Sequence, residues 1–150
     1  MELLRASWVA AFDRLLDSAT KDLFIVSPFI KREAMQQASR FVRNRSGLRV
    51  TILTNFAPKA LIGDAMDASA IFDFCEDIHA ATVTHLAGLH AKVFIADNRQ
   101  AIVTSGNLTD GGLFWNYEYG VLFDEVDVVR RVRQDMEAMR DLGCQWGMPT

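Results

Sequence analysis

Two cysteines, Cys75 and Cys144, are all that 150 residues contain, which is too few for a disulfide framework. With His79, His85 and His90, Cys75 lacks the closely spaced pairs of a structural zinc site, so no metal or other cofactor is expected. The N-terminus lacks a basic segment followed by an apolar run and a small-residue cleavage site, which makes a reducing cytoplasm the expected location. No apolar run approaches the length that crosses a bilayer, and no amphipathic segment combines a basic face with large apolar anchors, so no membrane partner is expected. Internal repeats, low-complexity stretches and linkers are absent too. Basic charge is missing from whole segments: Leu61 to Ala91 has no Lys or Arg, whereas Lys31, Arg32, Arg40, Arg43, Arg45 and Arg49 stand close together with only Glu33 among them. A net charge of −3 excludes a surface coated for bulk attraction of polyanions, so a polyanion would have to be met by a local patch.

Hydrophobic residues make up 50% of the chain, enough for a sizeable core in one domain spanning residues 1–150. Leu4, Trp8, Ala11, Phe12, Leu15 and Ala19 share a helical face, and the run from Leu23, stopped by Pro28, reads as a buried strand. A helix over Arg32 to Arg45 puts Met35, Ala38, Phe41 and Val42 inward and Arg32, Gln36, Arg40 and Arg43 outward, with Gly47 ending it and Leu48 to Thr54 following as a strand. Lys59 to Asp77 reads as one longer helix with Leu61, Ala65, Ala68, Phe72 and Cys75 as its stripe. Strands follow at Ala81 to Leu86, Leu89 to Asp97, Ala101 to Ser105 and Tyr117 to Phe123, and Val128, Val129, Val132, Met136 and Met139 mark a closing helix. This order predicts a layered α/β fold, a mixed or mostly parallel sheet with helices on both faces.

The chemistry is concentrated in His90-Ala-Lys92, Asp97, Ser105, Asn107 and Glu118. In an extended segment side chains alternate, so His90 and Lys92 project together while Ala91, Val93 and Ile95 face the core. Imidazole and ammonium can then meet one phosphate, and the Ser105 hydroxyl and Asn107 amide, delivered by the next strand, can hydrogen-bond its oxygens. Asp97, at odd separation from His90, points the other way, which suits a supporting role. Such a set supplies a nucleophile, a cation, neutral donors and a carboxylate, as metal-free phosphodiester cleavage requires.

These residues resemble the HKD motif of the phospholipase D superfamily: H-x-K-x4-D, then S-x-N, then Glu. Thr104-Ser-Gly-Asn-Leu-Thr109 and Asn116-Tyr-Glu-Tyr-Gly120 are similar to its nuclease-type branch, with Thr104 standing where many members have Gly. The resemblance implies the same layered fold and an active site made of two facing motifs. This chain holds one, so the resemblance implies a homodimer with the site on its two-fold axis. It further implies that one His90 attacks phosphorus to give a phosphohistidine, the other protonates the leaving oxygen, Lys92 and Asn107 hold the non-bridging oxygens, and Glu118 orients the imidazole.

The motif recognises only the phosphate, so substrate rests on other features. The Arg-rich helical face, with Arg40 and Arg43, suits a phosphate backbone and favours nucleic acid, DNA ahead of RNA. Trp115 and Tyr117 stand near the motif and, like Trp8, can stack on nucleotides; Phe114-Trp115 after Gly111-Gly112 suggests a mobile loop with an exposed indole. No base-reading module is evident, so an endonuclease that is non-specific or only weakly selective is expected, unless a separate targeting subunit supplies specificity. The alternatives are a phospholipase D-type lipid phosphodiesterase and a non-catalytic nucleic-acid-binding dimer module.

Overall fold

The chain is described by a computed structural model covering residues 1–64 and 66–147. Its strands are β1 (Glu2–Leu4), β2 (Asp22–Val26), β3 (Arg49–Thr54), β4 (Ala80–His85), β5 (Val93–Ala96), β6 (Gln100–Thr104), β7 (Gly120–Phe123) and β8 (Cys144–Trp146). They form one sheet in the order β1-β7-β6-β5-β2-β3-β4-β8. β2, β3 and β4 run parallel, as crossovers through helices require. Every other neighbouring pair is antiparallel. The sheet is therefore mixed, as the element order predicts.

Helices α1 (Val9–Ser18), α2 (Arg32–Val42) and α4 (Ala68–Glu76) contribute to one face, and α5 (Val126–Asp141) to the other. β2 shows why the sequence reads as an unbroken apolar run: Leu23 and Ile25 join Phe12, Leu15, Met35 and Ala38 on the first face, while Phe24 and Val26 join Val129 and Met136 on the second. A strand covered on both sides has no polar face to betray its period.

Several elements differ from the sequence reading. Leu4 is not on the first helix; it pairs with Gly120 in β1, and the helix starts at Val9. Three residues carry no readable periodicity, and their partner is the otherwise open edge of β7. β8 escapes the sequence for the same reason and covers β4. The helix read over Lys59 to Asp77 is two, α3 (Pro58–Ile62) and α4, parted by a turn in which Asp64 takes φ +57°. Asp67 then caps α4 by accepting from the Ala70 N–H at 3.1 Å. The break resets the helical phase, so α4 buries Ala70, Ile71, Phe74 and Cys75, and Leu61 and Phe72 leave the stripe. Ala65 lies outside the described residues. Helix α2 ends at Val42, ahead of Asn44 in the left-handed region, and Val128 lies on the exposed side of α5. Among the described residues, no helix is long and apolar enough to cross a membrane.

This topology gathers strand ends at one edge. The parallel strands finish there at Val26, Thr54 and His85; β5 starts opposite Val26, β6 finishes beside it, and β7 starts opposite Thr104. The carboxyl edge of parallel strands is where open α/β sheets collect functional side chains.

Candidate active site

His90 and Lys92 lie at that edge, in the irregular residues just before β5 rather than within the strand. They still project together: the Lys92 Nζ stands 3.1 Å from His90 Nδ1 and 3.3 Å from Nε2. Lys92 is only 8% exposed, whereas His90 is open to solvent. Burial pushes the Lys92 ammonium below its usual range, and the negative charge of Glu118 pulls it partly back.

The β6–β7 connection supplies the next groups. The Thr104 N–H donates to the Lys92 carbonyl at 3.2 Å, which sets Ser105 beside the His90–Lys92 pair. The Ser105 hydroxyl donates to the Glu118 carboxylate and accepts from the Tyr119 N–H at 3.0 Å. Within the chain, Glu118 thus bonds Ser105 and not His90; it precedes β7, and its charge reaches Lys92. Thr104, the departure from the motif, is accommodated by Gly120: a Cβ there would lie 2.7 Å from the Thr104 Cβ.

Asn107 is placed by contacts that no local pattern reveals. The Leu108 N–H donates to the buried Ser27 hydroxyl at the end of β2, and the Leu108 carbonyl accepts from the Lys31 N–H. Gly106 and Gly112 pack so tightly that a Cβ on Gly106 would stand 2.6 Å from the Gly112 oxygen, and one on Gly112 would stand 2.6 Å from the Asn107 nitrogen. The Trp8 indole closes the arrangement by donating to the Gly112 carbonyl at 2.7 Å. Trp8 is therefore a buried strut and no stacking surface. The Asn107 Oδ1 is buried without a hydrogen-bond partner among the described residues. Ser27, Gly106, Gly112 and Trp8 are the site-builders that the sequence reading missed.

The Gly111–Trp115 segment is a wound π-helical turn rather than a slack loop. It is held by the Ser7 hydroxyl on the Leu113 carbonyl at 2.8 Å, by Trp8, and by the Asn116 N–H on the Gly111 carbonyl. Trp115 projects from its end, exposed. Between the site and α5, a cleft of about 500 Å³ is walled by Ala91, Val93, Val103, Val132 and Met136 next to His90 and Lys92.

The remaining candidates lie elsewhere. Asp97 stands at the other end of β5, where its carboxylate accepts from the N–H groups of Thr20, Lys21 and Asp22 and from the Thr20 hydroxyl. Burial would raise its pKa, but these donors outweigh that and hold it below the usual range. Arg40 and Arg43 occupy the last turns of α2, which begins beside the Asn107 loop, so Arg40 is about 12 Å along the axis from that end. Arg43 is paired with Asp77 and Arg40 with the Gln37 side chain. Carboxylates also meet Lys31, Arg32 and Arg45, so most of the basic stretch is neutralised locally. His85 Nδ1 accepts from the Phe56 N–H at 2.8 Å, and burial pushes the Cys75 thiol up to about 11. Neither belongs to the His90 site.

A mixed sheet presenting His-x-Lys, Ser-x-Asn and Glu from one edge defines a phospholipase D-like domain. The family model described as cardiolipin synthase, PLD-like domain, matches residues 12–140, and the chain belongs to this family of the phospholipase D superfamily. No protein of curated function matches the sequence. Among solved structures, NucT from Helicobacter pylori superposes with a TM-score of 0.77 at 15% identity, over 97% of this chain and 98% of that one. The phospholipase D family member Nuc from Salmonella typhimurium gives 0.74 at 14%, over 97% and 96%. The phosphatidylserine synthase of Haemophilus influenzae gives 0.73 at 18%, over 97% of this chain and 39% of that one. At these identities the likeness is one of fold.

Proposed function

We propose that the protein is a metal-independent phosphodiesterase acting on nucleic acid, with an active site completed by a second copy of the chain. The observation that carries this reading is the His90–Lys92 contact, a solvent-open imidazole held at 3.1 Å from a buried ammonium, with Ser105 and Asn107 on the adjoining connection. One His90 attacks phosphorus, and a P–N bond forms as the P–O bond to the leaving group breaks. The leaving oxygen takes a proton from the His90 of the second copy. That second imidazole then removes a proton from water, whose oxygen attacks phosphorus and breaks the P–N bond, releasing a phosphomonoester. Lys92 and the amide of Asn107, from both copies, stabilise the charge on the non-bridging oxygens. Glu118, already fixed by Ser105, completes the electrostatic setting of the ammonium.

The two-fold arrangement follows from copy number, since one chain offers one such histidine and the reaction needs a nucleophile and an acid. A closed isologous dimer is the commonest way for a small domain to double a site. Lack of any base-reading element among the described residues supports weak sequence selectivity.

A lipid phosphodiester is the second reading, favoured by the apolar cleft beside His90. The deciding experiment measures hydrolysis of single-stranded DNA, duplex DNA, a chromogenic phosphodiester and phospholipid vesicles in excess EDTA, with His90→Ala as control. DNA cleavage that survives chelation and vanishes in the variant supports the proposal. Faster turnover of vesicles than of DNA supports the lipid reading, and a strict need for a divalent ion overturns the mechanism.

A further inference from the structure

We propose that Trp115, Tyr117 and Tyr119 form a base-stacking strip that takes unpaired nucleobases and makes single-stranded nucleic acid the substrate class of the adjoining site; this rests on the phosphodiesterase reading. Trp115 is 75% exposed, Tyr117 fully so at 101%, and Tyr119 56%. Isolated exposed apolar side chains are ordinary, but three large aromatics in five residues beside a phosphate-binding set are not. The other two tryptophans are consumed by packing: Trp8 is buried and Trp146 stacks on Phe56 at 3.8 Å.

Glu118 turns inward to Ser105 while its neighbours Tyr117 and Tyr119 remain outward, and two hydrogen bonds, from the Ser105 N–H to the Tyr119 carbonyl and from the Tyr119 N–H to the Ser105 hydroxyl, tie this stretch to the end of β6. The stretch that carries the tyrosines therefore lies against Ser105 of the phosphate-binding set. Alternate residues of an extended chain lie about 7 Å apart on one face, a spacing that lets rings take bases splayed from an extended single strand. Trp115 is carried by the anchored turn, so little freedom remains to be lost when a base stacks on it. Charge points the same way. Ion pairing of Lys31, Arg32, Arg43 and Arg45 leaves little free positive charge along α2 to hold a duplex backbone. Stacking adds affinity beyond what charge supplies, and it needs bases whose faces are free, which duplex stacking denies.

The test compares binding of labelled oligothymidylate with an abasic oligomer of equal length by rapid-mixing fluorescence anisotropy, read at short times before the strand is cut. The native protein should prefer the base-bearing strand about tenfold or more, lose that preference when a complementary strand is added, and lose it in Trp115→Ala/Tyr117→Ala. Trp115→Phe/Tyr117→Phe, which keeps the rings, should retain it. Equal affinity of the native protein for both oligomers, or undiminished preference in the alanine pair, overturns the strip. So does dissociation of the alanine pair into monomers by sedimentation, which would make the strip a subunit contact, or a blue shift of Trp115 emission with anionic vesicles but not with oligothymidylate. Failure of the phosphodiesterase reading appears separately, as base-dependent binding without any cleavage.

Discussion

The indole N–H of Trp8 donates to the carbonyl oxygen of Gly112 at 2.7 Å, and Gly112 in turn lies against the backbone of Asn107 too closely to admit a Cβ. A residue at the start of the first helix thus sets the position of an amide that would hold phosphate oxygens.

Trp8→Phe keeps an aromatic ring but removes the donor, leaving the Gly112 oxygen unmet. Stability should fall by about 1–3 kcal/mol in chemical denaturation. Turnover of a phosphodiester by the folded variant should fall about tenfold or more through misplacement of Asn107. Native turnover in the folded variant would show that the strut serves packing alone.

Loss of either central group should be severe. Turnover of His90→Ala should fall by on the order of 10⁴, as removal of a nucleophile does. Lys92→Ala should also be crippled, and mixing the two variants should not restore full activity, because the mixed dimer's shared site lacks one imidazole and one ammonium. Near-native rates in either single variant would remove the assigned roles.

Burial sets the pH at which Lys92 loses its charge. Because its pKa is lowered, the ammonium gives up its proton before an ordinary lysine does, so kcat/KM should decline on the alkaline side beginning below the usual lysine range of about 10.4. Residual activity in Lys92→Arg should show no such limb, since a guanidinium stays charged. Matching limbs in both proteins would assign the decline to another group.

Asp97 should matter to folding rather than turnover. Its pKa is lowered on folding, so the unfolded chain binds more protons as pH falls. Its contribution is complete above the unfolded value near 4 and is lost as pH drops through the lower folded value. Asp97→Asn keeps a side chain suited to φ +54° but not the charge, and should cost about 2 kcal/mol at neutral pH. The two proteins should converge in strong acid. Equal urea midpoints at neutral pH would refute the assignment.

What the sequence disclosed was local. His90, Lys92, Ser105, Asn107 and Glu118 are readable because the motif is linear, and the buried strands and amphipathic helices are readable from their periods. What it hid depends on partners far along the chain: Trp8 and Gly112 are 104 residues apart, and Ser27 and Leu108 are 81 apart. The pairing of Glu118 with Ser105 was equally invisible, because either the hydroxyl or the imidazole could satisfy the carboxylate and only the β6–β7 register chooses. Ion pairing of Arg43 with Asp77 likewise joins α2 to the end of α4, so a stripe that looks free in sequence is largely neutral in space.

The π-helical turn at Gly111–Trp115 differs from an α-helical one by a single extra residue. Removing one residue there would leave the composition of the motif intact yet rotate the succeeding residues by about 100°. Trp115 would swing off its side of the phosphate site with no aromatic lost. Among relatives of this chain, the length of this turn should therefore track substrate preference more closely than the identity of any one side chain in it.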